Sequence, residues 1–295
     1  LHAPISKVIA TKGYGANVIL HGENYDEASD KAKEIQAQTG ATFVHAFNDP
    51  DVISGQGTVG LEILEDLPDT DVIVVPVGGG GLIGGISAAV KALKPHIQII
   101  GVQTKNVPSM ANSVTLGKIE TVPGSPTIAD GIAVKTPGDI TFDIIKRNVD
   151  DIVTVDEDEI ANAILLLLER AKLTTEGAGA AAVAAVLYRL HLKGKKIAAV
   201  ISGGNIDVNM LARIIDLGLL RSARKVFLDK VIPDRPGTLC GLLNMVALTG
   251  ANVLSVTHSR GSHDVPLGYA KIGLELETID QAHIDYIKSA LLEGN

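Results

Sequence analysis

Asp71-Val72-Ile73-Val74-Val75-Pro76-Val77-Gly78-Gly79-Gly80-Gly81-Leu82-Ile83-Gly84-Gly85 is the stretch whose reading decides how this chain folds. The β-branched run Val72-Ile73-Val74-Val75, unbroken by a polar residue, reads as a strand buried on both faces. Glycines 78 to 81 then turn the chain into residues 83–93, which have helical apolar spacing and a stop at Lys94-Pro95. Without Cβ atoms such a loop can turn its N–H groups inward, and the helix that follows adds partial positive charge at its N-terminus. A phosphate is the occupant this physics favours. A tight turn without a ligand is the competing reading, weakened because successive glycines are costly to order.

Working outward, strand and helix signals alternate on both sides. Residues 5–12 read as a helix, 17–20 as a strand, 25–38 as an amphipathic helix stopped by Gly40, and 41–44 as a second strand. Gly55-Gln56-Gly57-Thr58 reads as the opening of a helix through Leu61, Leu64 and Leu67. Beyond the glycine loop come a strand at 97–103, a helix at 107–116, a loop-rich stretch to Pro137 and a strand at 152–155. Asp156 and Glu159 then open a helix in capping-box spacing. Thr175-Glu176-Gly177-Ala178-Gly179 leads into an alanine-rich helix over 180–192, and a strand at 197–201 ends in Ser202-Gly203-Gly204-Asn205, before a helix at 207–217. This alternation predicts an α/β unit, a parallel sheet with helices on both faces.

The composition changes around residues 219–224. From there the order is a strand (225–232), a loop through Asp234-Arg235-Pro236-Gly237, a helix (238–248), a strand (252–258), a loop (260–266), a strand (267–276) and a helix (280–292). That order predicts a C-terminal α+β unit, ferredoxin-like but lacking its last strand. The expected division is residues 1–221 and residues 222–295.

Composition narrows the function classes. Hydrophobic residues make up 46% of the 295 and aromatics 3%, with no Trp, so the core is built from Ala, Val, Ile and Leu. A net charge of −8 argues against a nucleic-acid partner, because phosphate backbones need clustered Lys and Arg. The single cysteine, Cys240, leaves no intramolecular disulfide and no Cys-rich metal site, and it reads as a small core residue. The longest apolar run, residues 160–168, is interrupted by Asn162 and too short for a bilayer, so no membrane partner is expected. With no signal peptide visible, a cytoplasmic address is the default.

The anion in the loop can be narrowed further. Gly79-x-Gly81-x-x-Gly84 satisfies the dinucleotide fingerprint, but the acidic residue wanted at the end of the next strand is replaced by Gln103 and Thr104. No Gly-Lys-Ser/Thr follows, so the Walker pattern is absent as well. Ser202-Gly203-Gly204-Asn205 also follows a strand, so both turns can face one crevice at the carboxyl edge of the sheet. One turn offers a phosphate cradle and the other a serine hydroxyl, which together look like the two ends of a pyridoxal phosphate site.

The residues carry a closer resemblance. Lys12-Gly13-Tyr14-Gly15-Ala16, Gly55-Gln56-Gly57-Thr58, Pro76-Val77-Gly78-Gly79-Gly80-Gly81-Leu82, Gly101-Val102-Gln103, Ala129-Asp130-Gly131, Thr175-Glu176-Gly177-Ala178-Gly179 and Ser202-Gly203-Gly204-Asn205 run through nearly all of residues 1–221. Together they resemble the threonine dehydratase (threonine ammonia-lyase) group of pyridoxal-phosphate enzymes, of the tryptophan-synthase-β fold type (fold type II). The resemblance implies that Gly78, Gly79, Gly80 and Gly81, with the N–H of Leu82, hold the cofactor phosphate, and that Ser202 meets the pyridine nitrogen. It places Gly131 and Glu176 near the cofactor face; a loop glycine and a helix-start carboxylate are the plainer readings of those two. The tail from Lys225 resembles an ACT domain. There the resemblance puts an amino-acid effector at Asp234, Gly237 and Asn252, and an open sheet edge suggests a homo-oligomer, dimer or tetramer.

Two departures qualify it. The family forms its Schiff base through a lysine in a Ser-x-Lys-x-Arg-Gly-Ala-like segment and holds substrate with a Ser-x-Gly-Asn-His loop; neither occurs here. The lysines present, Lys12 and Lys91 among them, lack that signature and read as solvated. The chain also opens with Leu1 rather than Met, so the resemblance implies that a beginning carrying both segments is missing and that these residues alone do not catalyse. Serine racemases of the group carry a carboxylate where Gln103 stands, as part of a cation site; Gln103 and Ser109 disfavour that site, and no metal is expected. The implied activity is deamination of an amino-acid substrate, L-threonine and more slowly L-serine. A serine racemase, and a non-catalytic amino-acid-binding regulator, are the alternatives.

Overall fold

The computed structural model describes residues 5–23, 25–261 and 265–293. Three helices, α1 (Ile5–Gly13), α2 (Tyr25–Thr39) and α3 (Pro50–Asp66), precede the first strand, β1 (Val72–Pro76). The glycine loop leads into α4 (Gly81–Leu93), followed by β2 (Gln98–Thr104), α5 (Ser109–Leu116), α6 (Asp139–Asn148) and β3 (Asp151–Val155). Then come α7 (Glu157–Leu166), α8 (Gly177–Tyr188), β4 (Ile197–Ala199) and α9 (Val208–Arg221).

The first four strands form one parallel sheet in the order β3-β2-β1-β4. The chain steps outward from β1 to β2 to β3 and then returns across the sheet, so that β4 pairs with the other side of β1. This reversal makes the carboxyl ends of β1 and β4 neighbours, the place where ligands of open α/β sheets bind. The Val200 N–H extends the pairing with a hydrogen bond to the Val74 carbonyl (2.9 Å), which carries the chain on to Ser202 beside the glycine loop.

Burial of β1 follows from helices on both faces. Val72 and Val74 enter a core with α7, α8 and Ile214 of α9, while Ile73 and Val75 enter a second core with Ile83, Ile86 and Val90 of α4. Side chains alternate across a strand, so a strand covered twice is apolar throughout. The alanines of α8 lie buried against β1, β2 and β3, where small side chains let the helix approach closely. Asp156 and Glu159 form the expected capping box, Asp156 Oδ1 accepting from Glu159 N–H (3.0 Å) and Glu159 Oε2 from Asp156 N–H (2.9 Å).

Three expectations are corrected. Residues 17–20 and 41–44 have strand-like sequence but form no strand: a strand needs a hydrogen-bonded neighbour, and no described residue supplies one. Gly55-Gln56-Gly57 lies inside α3, which starts earlier, at Pro50, with Asp49 Oδ1 accepting from the N–H groups of Asp51 and Val52. The glycines there serve packing: a Cβ on Gly57 or Gly60 would press on the Gly85 or Ile86 carbonyl (3.2 and 3.1 Å), and one on Gly85 would collide with the Ile53 carbonyl. Lys91 is not solvated, for its Nζ donates to the Ile97 carbonyl and pairs with Asp150, each at 2.8 Å.

Residues beyond α9 form β5 (Lys225–Pro233), α10 (Thr238–Leu248), β6 (Asn252–Ser259), β7 (Tyr269–Glu277) and α11 (Gln281–Glu293). The strands make a separate antiparallel sheet, β5-β7-β6, with a core of Ile232, Leu242, Val246, Ile272, Leu274 and Ile287. Residues 262–264 of the expected loop lie outside the described residues. Cys240, read as core, is exposed on α10. Among the described residues no helix is long and apolar enough to cross a membrane.

The α3–α4 contact yields a test. Gly85→Val should cost about 1–3 kcal/mol by overpacking, which lowers the thermal midpoint by roughly 2–4 °C per kcal/mol. Gly55→Ala, where a Cβ would meet nothing within 4 Å, should leave it unchanged or slightly raised. Equal midpoints for both variants in thermal unfolding would refute the packing account.

Candidate active site

A cavity of about 520 Å³ opens at the reversal point of the sheet. Gly78, Gly79, Gly80, Gly81, Leu82, Gly131, Glu176 and Ser202 all line it, so the residues singled out by sequence meet around one space. Its size falls within the 300–1,000 Å³ typical of small-molecule sites.

The glycine loop is held by what surrounds it. Gly80 has φ +99°, a conformation that side chains rarely adopt, and a Cβ there would lie 2.8 to 2.9 Å from Ile145, Met110 and Thr141. Thr141 Oγ1 donates to the Gly79 carbonyl (2.6 Å), turning that carbonyl toward α6. Among the described residues no acceptor engages the N–H groups of Gly79, Gly80, Gly81 and Leu82, the unpaired donors expected where a loop enters a helix. Glu176 stands across the cavity, its Oε1 against the faces of Gly131 and Gly203, so a Cβ at either glycine would press on the carboxylate. Gly203 also has φ +111°, and its carbonyl accepts from Thr175 Oγ1 (3.0 Å), which ties the Ser202 turn to the start of α8.

Sequence reasoning missed four contributors. Phe47 seals the loop: its ring lies where a Cβ of Gly79 would be, and its Cβ and backbone crowd the same position on Gly81. His45 shapes that turn, accepting from Phe47 N–H (3.2 Å) and Asn48 N–H (2.9 Å), with its ring edge-on to Phe47. Asn48 anchors it to α6, donating to Asp139 Oδ1 (2.7 Å) and accepting from Ile140 N–H (3.1 Å). The fourth is Lys135, exposed at the cavity rim. Phe47, His45, Asn48 and Lys135 sit in stretches with no pattern of their own.

Gln103 and Ser109 are each engaged through one oxygen, while Gln103 Nε2 finds no hydrogen-bond partner among the described residues. Gln103 is fully buried, its Oε1 accepting from Ala111 N–H (2.8 Å), and Ser109 Oγ donates to the Val134 carbonyl (2.6 Å). Neither presents a charged oxygen, and among the described residues no cluster of His, Cys, Asp or Glu could hold a metal ion.

The residues fit pyridoxal phosphate on this geometry. Free N–H groups at a helix N-terminus suit its phosphate, glycines leave room for close approach, and a serine hydroxyl at the far end suits a neutral ring nitrogen. Comparison with known proteins agrees. Residues 2–203 match the family described as pyridoxal-phosphate dependent enzyme, and the chain belongs to that family. It is 60% identical over 291 residues to an L-threonine ammonia-lyase of Thermotoga maritima, a match covering 99% of this chain and 73% of that protein. An L-threonine ammonia-lyase of Geobacter sulfurreducens is 48% identical, over 98% of this chain and 72% of its own length. Among solved structures, maize serine racemase superposes with a TM-score of 0.68 at 37% identity, covering 75% of this chain and 68% of that one. The processed threonine deaminase isoform 2 of Solanum lycopersicum gives 0.69 at 35% identity, covering 74% and 61%.

The residues expected to bind an effector are placed differently. Asp234 follows β5 and Gly237 precedes α10, but Asn252 begins β6 at the opposite end of the sheet, its Nδ2 donating to Glu277 Oε2 (3.2 Å). β5 and β6 run parallel on either side of β7, so the eight-residue length of β6, about 25 Å at ~3.3 Å per residue, separates Asn252 from the other two within one chain. Arg260 grips Asp234 through Nε (2.6 Å) and a terminal nitrogen (3.1 Å), and that hydrogen-bonded guanidinium holds the Asp234 carboxyl below its ordinary range.

Two outcomes are expected. Gly80→Ala should destabilise the fold by about 1–3 kcal/mol in chemical denaturation, from backbone strain and three close contacts. Asp139 is held below the usual carboxylate range, first by the Asn48 hydrogen bond and next by the Ile140 N–H. A carboxyl depressed on folding stabilises above its unfolded pKa, and that contribution disappears as pH falls through the folded value. Asn48→Ala should therefore raise the Asp139 midpoint in an NMR titration; an unmoved midpoint would rule out the Asn48 contact as its cause.

Proposed function

We propose that this protein serves in the β-elimination of L-threonine to 2-oxobutyrate and ammonia, with L-serine giving pyruvate more slowly. The observation that carries this reading is the single cavity joining the glycine loop, Glu176 and Ser202. Identity of 60% to an L-threonine ammonia-lyase across nearly the whole chain supports the substrate. Bound there, pyridoxal phosphate supplies an electron sink for a bond broken at the amino acid's Cα.

The chain's own residues set the rest. The loop Gly78 to Gly81, the N–H of Leu82 and the N-terminal dipole of α4 would hold the phosphate. Ser202, which lines the cavity, would meet the ring nitrogen, and because a neutral hydroxyl does not surrender its proton, the sink would be moderate, suited to β-elimination rather than to reactions that need a long-lived carbanion. Gly131, with no Cβ, leaves room for the Glu176 carboxylate, which would then stand near the ring's face. The lysine this chemistry uses belongs, in this reading, to a Ser-x-Lys-x-Arg-Gly-Ala-like segment that these 295 residues do not contain. Neutral Gln103 and Ser109 favour the dehydratase over a cation-dependent racemase.

Residues 1–221 form the catalytic part in this proposal, and residues 222–295 an ACT-like regulatory unit that takes an amino-acid effector near Asp234 and Gly237, in a cytoplasmic homo-oligomer. Protein from its natural source should release 2-oxobutyrate and ammonia in equal amounts from L-threonine. Ser202→Ala should lower kcat/KM by about tenfold or more through loss of the ring-nitrogen hydrogen bond. D-serine formation dependent on divalent cations would favour the racemase instead, and failure to retain pyridoxal phosphate would sink the enzyme reading altogether.

A further inference from the structure

Glu157 lies outside the cavity, at the first position of α7, yet its carboxylate gathers hydrogen bonds from two separate segments, 104–106 and 127–128. Oε1 accepts from Thr127 Oγ1 (2.6 Å), from Thr104 Oγ1 at the end of β2 (3.3 Å) and from Asn106 Nδ2 (3.3 Å). Oε2 accepts from the Ile128 N–H (2.7 Å). Asn106 also donates to the Pro126 carbonyl (2.6 Å), and Thr127 Oγ1 accepts from the Ala129 N–H (3.1 Å). The segment 126–129 is thereby hung from the carboxyl edge of the sheet.

That segment continues directly into the cavity wall. Asp130, Gly131 and Ile132 line the cofactor cavity, and Thr127, Ile128 and Asp130 line a neighbouring one of about 470 Å³. On its other side the segment is pressed by α8: a Cβ on Gly177 would collide with the Ile128 carbonyl. A Cβ on Gly78 would lie 3.1 Å from Ile132 Cα, and one on Gly131 3.1 Å from Glu176 Oε1. The wall therefore has little slack between Glu157 and the two glycine turns, and a shift at Ile128 is passed to the phosphate loop and to Glu176.

We infer that Glu157 is a positioning residue for the cofactor: it touches neither cofactor nor substrate and sets the wall formed by residues 127–132. This rests on reading the cavity as the pyridoxal phosphate site. A carboxylate suits the place because all four neighbours can donate to it, and hydrogen bonds to a charged acceptor are the stronger kind. A glutamine can keep its oxygen on the Ile128 N–H while its amide faces the Thr104 and Thr127 hydroxyls, which can turn to accept.

The test uses the full chain with pyridoxal phosphate as probe, and reads binding affinity, the circular dichroism induced in the bound cofactor, and amide hydrogen exchange. Glu157→Ala should weaken binding about tenfold or more and alter the induced signal, because several charged hydrogen bonds are lost. Glu157→Gln should restore affinity to within about threefold of the parent, since it keeps most of those partners. Exchange at residues 128–131 should rise in the alanine variant while α4 and the sheet stay protected. Unchanged affinity and induced signal in Glu157→Ala, even with a lower thermal midpoint, would overturn the proposal. If the parent chain retains no pyridoxal phosphate, the reading of the cavity fails; exchange at 128–131 then decides Glu157 separately, an unaltered pattern refuting its hold on the wall.

Discussion

The hydrogen bond from the Val200 N–H to the Val74 carbonyl marks the constraint on which the site depends. It continues the β1–β4 pairing past the last formal strand residue and brings the turn at Ser202 beside the turn at Gly78. Parallel strands end at the same edge, and a reversal of strand order leaves the loops after two neighbouring strands diverging to opposite faces, with a crevice between them. The cavity is that crevice, and its two chemical ends are the loops that leave it.

Everything around the crevice keeps those loops close. Thr141 takes the Gly79 carbonyl, Phe47 covers the outer side of the glycine turn, and Asn48 fastens the Phe47 turn to α6. On the opposite side Thr175 holds Gly203, and Glu157 holds the segment ahead of Gly131. Glycine recurs where backbones or a carboxylate must come nearer than a Cβ allows, at Gly78, Gly131, Gly177 and Gly203. Free N–H groups and a hydroxyl then face the cavity with few competing partners, the arrangement that a phosphorylated ring requires.

The second sheet is organised by different means. Its strands are antiparallel, its helices cover one face only, and its polar edge is bound by ion pairs such as Arg260 with Asp234 and Lys225 with Glu275. Lys225 Nζ donating to Glu275 holds that carboxyl below its usual range and raises the lysine. The apolar core of Ile272, Leu274 and Leu276 lies beneath these pairs.

Local sequence determined the elements that depend on local chemistry. The β-branched run of β1, the glycine turn, the Asp156–Glu159 capping box and the alanine-rich α8 were all legible, because strand burial, positive φ and capping are decided within a few residues. The eight residues that line one cavity were singled out beforehand too, the glycine loop and the strand-end serine by their own pattern and the rest by the family resemblance. Tertiary structure decided the rest. Residues 17–20 and 41–44 have the side chains of strands and no described neighbour to pair with; Gly57 and Gly85 gain their meaning only where two helices cross. Asn252 and Asp234 stand at opposite ends of the parallel strands β5 and β6, a placement set by strand pairing rather than by local sequence. Glu157 and Phe47 act through partners about 30 residues away, and contacts at that separation leave no periodicity in the chain that makes them.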